Sequence, residues 1–230
     1  MDSQLGIDVF GSIRANYKKL PAKLLTALRI LLKGGVRKFV IVTDWKLGLG
    51  YLDFKKTSED VLYHGEELAH GHQTWGPELA LVLDSLIITS DDAIIDLGSG
   101  KGAALILMAN YSFKRISGVE LSSELTHIAR RNIRRLGRQR RIEVICVNAA
   151  NFTDLDHYNY VYMFNPFPCC VVNQVLTTCR ASLVRVPRDL TIIYANPVCS
   201  DLILSSGLFN ISGEFRFPNK SPIFTYFHHS

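Results

Sequence analysis

The stretch Ala93-Ile-Ile-Asp-Leu-Gly-Ser-Gly-Lys-Gly102 decides which fold is expected for this chain. Four of its first five residues are apolar, which is typical of a strand buried inside a parallel sheet, and three alternating glycines follow. Because glycine has no Cβ, such a loop can turn tightly and let a ligand approach the backbone. A second apolar strand ends at Glu120, whose carboxylate can accept the hydroxyls of a ribose. The pattern predicts a nucleoside-cofactor site at the ends of two neighbouring strands.

Strand-like and helix-like segments alternate around this stretch with short connections. The predicted strands are 93–97, 115–119, 142–147, 159–164, 189–195, 211–217 and 222–228, and the predicted helices are 78–89, 102–111, 122–136, 169–185 and 199–208. Such alternation predicts a parallel sheet covered by helices on both faces. The last two strands flank a turn-rich link, which predicts a β-hairpin. We therefore expect an α/β, Rossmann-like, doubly wound seven-stranded sheet made of five parallel strands and a C-terminal β-hairpin.

The first part of the chain has a different character. Residues 8–34 carry apolar positions at helical spacing, whereas 43–72 show little periodicity. We expect residues 1–75 to form an N-terminal helical and loop cap over the ligand side of the sheet, and residues 76–230 to form the cofactor-binding domain.

Composition and cysteine content predict where the protein works. With 230 residues, 47% of them hydrophobic and 20% charged, the chain fits a folded enzyme and excludes a disordered one. The five cysteines lie in apolar contexts and show no Cys-x-x-Cys spacing, so we expect reduced core residues. There is no secretory signal pattern and no apolar run of roughly 20 residues, the length that crosses a bilayer. A cytoplasmic protein without a transmembrane segment is expected.

The glycine loop resembles that of one enzyme class. Asp96-Leu-Gly-Ser-Gly-Lys-Gly102 together with Gly118-Val-Glu120 is similar to the class I S-adenosylmethionine-dependent methyltransferases. The loop also fits the relaxed dinucleotide fingerprint, which favours an NAD-dependent oxidoreductase. Asp96 before the first glycine, the third glycine and the terminal hairpin argue against that alternative. A non-catalytic binding module that retains the fold is a further alternative.

The resemblance implies a role for each matching position. Asp96 would lie near the methionine ammonium group, the glycines would wrap the methionine and ribose, and Glu120 would hold the ribose hydroxyls. Asn148 would accept a hydrogen bond from the adenine amino group, and Leu121 and Ala149 would flank the adenine ring. The implied cofactor-binding residues are Gln73, Thr74, Asp96, Gly98, Ser99, Gly100, Gly102, Glu120, Leu121, Asn148, Ala149 and Asn165.

The segment Tyr162-Met-Phe-Asn-Pro-Phe-Pro168 predicts the acceptor site. In the resembled class, an Asn/Asp-Pro-Pro-aromatic motif here accompanies methylation of amide or amino nitrogens, so Asn165, Pro166 and Phe167 are the expected catalytic segment. Phe167 replaces the second proline of that motif, which weakens the case for a nucleic-acid amino group. The alternative is that Asn-Pro merely ends a strand. Trp75, Phe167 and Tyr63 are the expected substrate-binding residues.

A closer resemblance is to bacterial methyltransferases of unassigned substrate. These share the Asp-Leu-Gly-Ser-Gly-Lys-Gly loop, a Gly-Val-Glu-Leu-Ser strand, the helix end at 129–132 and an Asn-Pro-Phe fourth strand. The group is similar in outline to the non-SET histone-lysine methyltransferases. The resemblance implies methyl transfer to a nitrogen of a protein side chain or small amine, although a fold does not fix a substrate.

Three other patterns contain candidate functional residues: an arginine-rich segment, a group of histidines and a pair of adjacent cysteines. The segment 130–141 holds seven arginines, which favours a nucleic-acid methyltransferase as the alternative, or else a solvated basic face. His64, His70 and His72 lack metal-ligand spacing, so no metal site is predicted, while a cap histidine remains a possible general base. Cys169 and Cys170 follow the acceptor motif, yet they are expected to be buried helix residues and not nucleophiles.

Overall fold

A computed structural model of the chain describes residues 62–63, 66–67, 77–165 and 167–230, which all belong to the compact unit Asp53–Ser230. The strands are β1 (Leu62–Tyr63), β2 (Glu66–Glu67), β3 (Ala93–Leu97), β4 (Arg115–Glu120), β5 (Ile142–Cys146), β6 (Tyr160–Phe164), β7 (Leu190–Ala195), β8 (Asn210–Phe215) and β9 (Ile223–His228). The helices are α1 (Pro77–Ser85), α2 (Ala103–Met108), α3 (Ser123–Arg135), α4 (Cys169–Arg185) and α5 (Ser200–Ser205), with a 3₁₀ turn at Ala149–Asn151.

Seven strands form one sheet in the order β5-β4-β3-β6-β7-β9-β8, and β1 and β2 form a separate antiparallel pair. Neighbours among β3 to β7 are parallel, whereas β9 is antiparallel to both β7 and β8. The predicted doubly wound sheet with a terminal hairpin is confirmed. Apart from the short strands β1 and β2, the predicted N-terminal cap lies outside the described residues, and the division at residue 75 stays a prediction.

The central strand β3 is buried on both faces, as its near-continuous apolar sequence requires. Ala93, Ile95 and Leu97 pack into a core cluster that also contains Val172 and Leu176 of α4. Side chains on a strand alternate between faces, so Ile94 and Asp96 lie on the opposite face. Asp96 pairs in register with Gly118 of β4, which places Gly118 and Glu120 on that same face.

Gly118 is needed for close packing. A Cβ there would lie 2.6 Å from Cδ1 of Leu105 and 2.6 Å from Oγ of Ser99, so α2 and the glycine loop can rest on β4 only because this residue has no side chain. The loop residue Gly102 has a φ of 81°, and a Cβ on it would approach Cβ of Ala129 in α3 to 3.2 Å. The glycine loop is therefore wedged between β4 and α3.

The helices α1, α2 and α5 are shorter than predicted. The backbone N–H of Thr89 donates to the carboxylate of Asp92 at 2.6 Å, so Thr89, the predicted last residue of the first helix, belongs instead to a turn before β3. The start of α3 agrees with the prediction, because Oγ of Ser122 accepts from the backbone N–H of Leu125 at 3.2 Å.

The cysteine prediction is wrong for most of the five residues. Cys169 and Cys199 form a disulfide with Cα atoms 5.7 Å apart, and Cys146 and Cys170 are free and exposed, so only Cys179 is a buried free thiol. The pair lies 30 residues apart in sequence, and the approach of the first residues of α4 to those before α5 is a property of the fold. Cys169 and Cys170 are exposed because they occupy the first turn of α4, beyond the sheet.

The disulfide should contribute measurably to stability. Because it closes a loop of 30 residues, the chain-entropy model gives about 3.6 kcal/mol of stabilisation. We expect Cys169→Ser to lower the free energy of unfolding by about that amount in urea titrations under oxidising conditions, and a dithiol reductant to abolish the difference. The control Cys170→Ser should behave as the wild type. Equal stability of the oxidised Cys169→Ser variant and the wild type would contradict the prediction.

Candidate active site

The site lies where the carboxyl ends of β3, β4, β5 and β6 meet. Parallel strands end at the same edge of a sheet, and ligands of open α/β sheets bind at that edge. Asp96 lies near the end of β3, Glu120 ends β4, Asn148 follows β5 and Asn165 follows β6. The structure thus places these four predicted residues at a single edge of the sheet.

The glycine loop is fixed to the end of β4 through its backbone. Gly98, Gly100 and Gly102 have φ values of 87°, 51° and 81°, a region that favours glycine. The N–H groups of Gly98 and Ser99 both donate to the carbonyl of Val119, at 2.8 and 2.9 Å. The loop therefore turns back on the neighbouring strand.

Glu120 joins this loop to the start of α3. Its Oε2 accepts from the N–H of Gly100 at 2.8 Å, and its Oε1 accepts from the N–H of Ser122 at 2.9 Å. Burial raises the pKa of the carboxyl, while its bonds to the N–H groups of Ser122, Gly100 and Leu121 act in the opposite direction. Each carboxylate oxygen has a second lone pair, so the predicted contact with ribose hydroxyls is compatible with these bonds.

Asp96 is a buried carboxyl close to a second one. Its exposed fraction is 3%, and its pKa lies well above the usual range because burial disfavours the charge and Glu120 adds repulsion. Ionising both groups is unfavourable unless a cation joins them. The pair is therefore suited to a positively charged ligand.

Ser99 and Asn148, two of the predicted cofactor-binding residues, have side chains that lie against other parts of the chain in the structure. Oγ of Ser99 is buried against β4, beside Gly118, and has no hydrogen-bond partner. Asn148 caps the 3₁₀ turn, with Oδ1 accepting from the N–H of Ala150 at 2.9 Å. Ala149 is buried in the apolar core, whereas Leu121 is exposed, so of the two residues expected to flank the adenine only Leu121 offers an open surface.

At the acceptor end, Asn165 adopts a left-handed backbone conformation with a φ of 30°. Its Oδ1 lies 3.4 Å from the hydroxyl of Tyr194 on β7, which donates to it. Phe167 is half-buried and packs on the core cluster. The predicted residues Asn165 and Phe167 therefore lie at the end of β6, beside a tyrosine.

Sequence reasoning gave two further residues, Tyr194 and Asn132, no role at the site. Tyr194 is fully buried, and a tyrosine one residue before the end of the strand next to β6 is the signal that could have found it. Asn132, also fully buried, donates from Nδ2 to the carbonyl of Lys101 at 3.2 Å and so ties α3 to the glycine loop. Its place in the 129–132 resemblance thus has a structural reason.

Several predicted residues lie outside the described part of the chain: Gln73, Thr74, Trp75, Pro166, His64, His70 and His72. Tyr63 lies in β1, where the backbone alone is described. In the part of the chain that the structure describes, no cluster of three or more His, Cys, Asp or Glu side chains could hold a metal ion. None of the described helices has the length and apolar character needed to span a membrane.

The arginine run occupies the second half of α3 and the loop that follows it, and three of its seven arginines bind backbone carbonyls. Arg130 donates to the carbonyl of Val144 at 2.7 Å and so covers part of the edge strand β5. Arg138 and Arg141 both donate to the carbonyl of Ala109 at 3.2 Å. The 13 residues of α3 begin beside the glycine loop and end at Arg135, about 20 Å away at 1.5 Å per residue. The run therefore extends from the middle of α3 to the amino end of β5, whereas the site lies at the carboxyl ends of the strands.

One protein-family model matches the core of the chain. Residues 94–187, which are 94 of the 230 residues, match the model of a methyltransferase domain. This stretch contains β3 to α4 and therefore all four strand ends of the site. No curated protein matches the chain in sequence.

Solved structures show the same fold. An RNA methyltransferase from Salinibacter ruber in complex with S-adenosyl-L-homocysteine is 18% identical, with a TM-score of 0.52 over 69% of this chain and 94% of that one. The Bacillus subtilis M1A22 tRNA methyltransferase TrmK is 12% identical, with a TM-score of 0.54 over 66% of this chain and 65% of that one. The StiE O-MT, residues 942–1257, is 12% identical, with a TM-score of 0.53 over 66% of this chain and 72% of that one. At these identities the likeness shows a shared fold.

The buried acidic pair should make the folded protein sensitive to pH. The folded-state pKa of Asp96 is raised, so ionisation costs stability as pH rises from about 4, the ordinary carboxyl value, through the folded pKa. Asp96→Asn removes this cost. We expect the variant to exceed the wild type in unfolding free energy at pH 7.5 by about 1–3 kcal/mol, and the gap to close towards pH 4.

Chemical denaturation across this pH range measures the effect. Asp91→Asn, at an exposed turn position, is the control and should follow the wild type at every pH. An Asp96→Asn variant that is less stable than the wild type at pH 7.5 would show that the buried carboxylate stabilises the fold.

Proposed function

We propose that this protein is a methyltransferase that uses S-adenosylmethionine to methylate a nitrogen of a protein side chain or small amine. The observation that carries the proposal is the placement of the acidic pair Asp96 and Glu120 at the glycine loop, on the same sheet edge as Asn165. One end of the site suits a cationic nucleoside, and the other suits a hydrogen-bonding acceptor.

S-adenosylmethionine fits the charge of the first part of the site. It carries an ammonium and a sulfonium group, and the field of two neighbouring carboxylates favours cations. Gly98 and Gly100 leave space for the backbone to approach the methionine and ribose portion. The methyltransferase match over residues 94–187 and the structural neighbour crystallised with S-adenosyl-L-homocysteine support this cofactor.

The chemistry requires positioning more than acid or base groups. When bound, the sulfonium supplies both the methyl group and its own leaving group, so that the lone pair of the acceptor nitrogen forms the new N–C bond while the C–S electrons return to sulfur. Asn165 would accept a hydrogen bond from an N–H of the acceptor and so orient the nitrogen lone pair. Phe167 would exclude water from one side. The nitrogen loses a proton after transfer, and solvent can take it.

The amide at position 165 favours nitrogen over oxygen as the atom that is methylated. A hydroxyl at neutral pH must lose its proton to become a good nucleophile, which calls for a base at the site. A neutral amide oxygen accepts hydrogen bonds but does not remove such a proton. An amine in its neutral form already has a lone pair that can attack, so it needs only to be oriented, and Asn165 is suited to that role.

A nucleic-acid acceptor is the competing proposal. Two of the solved neighbours are RNA or tRNA methyltransferases, although their fold likeness does not extend to substrate. The seven arginines that favoured this alternative lie in the second half of α3 and the following loop, and Arg130, Arg138 and Arg141 already bind backbone carbonyls. A non-catalytic module would keep the fold and lack transfer.

Methyl transfer from a labelled donor tests the proposal. The purified chain, incubated with cell extract and S-[methyl-³H]adenosylmethionine, should label protein or small amines and leave RNA and DNA unlabelled. Asn165→Ala should reduce labelling at least tenfold, since the acceptor loses its positioning hydrogen bond. Asn196→Ala is the matched control, because Asn196 also has a positive φ, 52°, at the end of the neighbouring strand β7. Equal labelling by the wild type and Asn165→Ala would refute the role of Asn165.

A paired variant separates the competing acceptor class. Arg134 and Arg140 are exposed, and neither donates to the carbonyls that hold Arg130, Arg138 and Arg141. We expect Arg134→Ala/Arg140→Ala to leave labelling unchanged. Labelled RNA that disappears in this double variant would establish the nucleic-acid alternative instead.

A further inference from the structure

Tyr194 forms a hydrogen-bonded link to the acceptor residue from the adjacent strand. Its ring lies in the core cluster, with the whole residue at 0% exposure, and its hydroxyl reaches Oδ1 of Asn165 at 3.4 Å. The hydroxyl proton of Tyr194 is therefore directed at the amide oxygen of Asn165.

An asparagine side chain presents two different atoms to its surroundings. The oxygen accepts hydrogen bonds and the nitrogen donates them, and a 180° rotation of the amide exchanges them. A hydroxyl that donates to Oδ1 stabilises one of these two orientations. The second lone pair of Oδ1 then remains available to accept from an N–H of the acceptor.

We propose that Tyr194 is the positioning residue of the acceptor site, fixing the amide of Asn165 so that its oxygen, and not its nitrogen, serves the incoming amine. This inference rests on the proposed function, because it names how the site for that reaction is set. Burial raises the pKa of Tyr194 to about 12, so the hydroxyl stays a donor across the physiological range.

The surrounding chain explains why Asn165 needs such a partner. Its φ of 30° is uncommon for a residue with a side chain, so its own backbone does not favour the observed conformation. The Cys169–Cys199 disulfide joins the start of α4, which follows Asn165, to the segment that follows Tyr194 on β7.

The chain offers a matched control for the loss of a buried tyrosine hydroxyl. Tyr226 is also at 0% exposure and lies in the same core cluster on β9, where its hydroxyl donates to Oγ of Ser200 at 2.7 Å. Tyr194→Phe and Tyr226→Phe each remove one oxygen and one hydrogen bond while keeping the ring. Only the first change removes a contact to Asn165.

Side-chain amide spectra test the inference without knowledge of the acceptor. In ¹⁵N-labelled protein, the Asn165 amide pair is assigned by its absence in Asn165→Asp. We expect Tyr194→Phe to shift and broaden this pair while the Asn196 pair stays in place, and Tyr226→Phe to leave both pairs unchanged. An unmoved Asn165 pair in Tyr194→Phe, or the same shift in both variants, would overturn the inference.

Transfer assays provide the functional counterpart. With the labelled donor and cell extract, Tyr194→Phe should lower methyl transfer about tenfold, the loss expected for one positioning hydrogen bond, with less than a twofold change in donor affinity. Tyr226→Phe should transfer at the wild-type rate. If the wild-type protein neither binds the donor nor transfers label, the proposed function fails, while the amide spectra still decide whether Tyr194 orients Asn165.

Discussion

The carboxylate of Glu120 organises the site, because it holds two backbone segments at the same time. One of its oxygens binds the N–H of Gly100 in the glycine loop, and the other binds the N–H of Ser122 before α3. The remaining features fit around this junction. α2 and Ser99 pack directly on β4 at Gly118, where there is no side chain, and Asn132 of α3 donates a hydrogen bond to the carbonyl of Lys101. A strand, a loop and a helix thus meet at a single buried acid.

The carboxylate of Glu120 is also a source of electrostatic destabilisation. Asp96 and Glu120 share one face of the sheet and are both buried, and burial raises the pKa of each. A protein selected for stability alone would replace one of them with a neutral residue, since a buried carboxylate without a cation costs free energy. Retaining both is consistent with a site whose ligand supplies the positive charge. The two buried carboxylates lower the stability of the free protein, and the same carboxylates favour the binding of cationic ligands.

Sequence reasoning predicted the sheet well because its central strands β3, β6 and β7 are nearly continuous apolar runs bounded by polar turns. The bounds of β3 match the predicted 93–97, and α4 matches the predicted 169–185. Helix ends were less accurate where a turn hydrogen bond, as between Thr89 and Asp92, competes with the last helical turn. The strand-end residues of the site were found because parallel strands end at the same edge of a sheet. The disulfide and the Tyr194 contact were missed, since both join residues about 30 positions apart whose proximity exists only in the folded chain. The arginine run shows the opposite error: its composition indicated a nucleic-acid surface, whereas three of its members bind backbone carbonyls.

The central claim is that the acidic pair at the glycine loop binds S-adenosylmethionine. Calorimetric titration of the full chain with S-adenosylmethionine, at pH 6 and pH 8, tests it directly. We expect saturable one-site binding that is tighter at pH 8, because the raised pKa of Asp96 favours its protonated form as pH falls, and we expect Asp96→Asn to weaken binding and to remove most of this pH dependence. Absence of binding at both pH values, or binding by Asp96→Asn equal to that of the wild type, would contradict it.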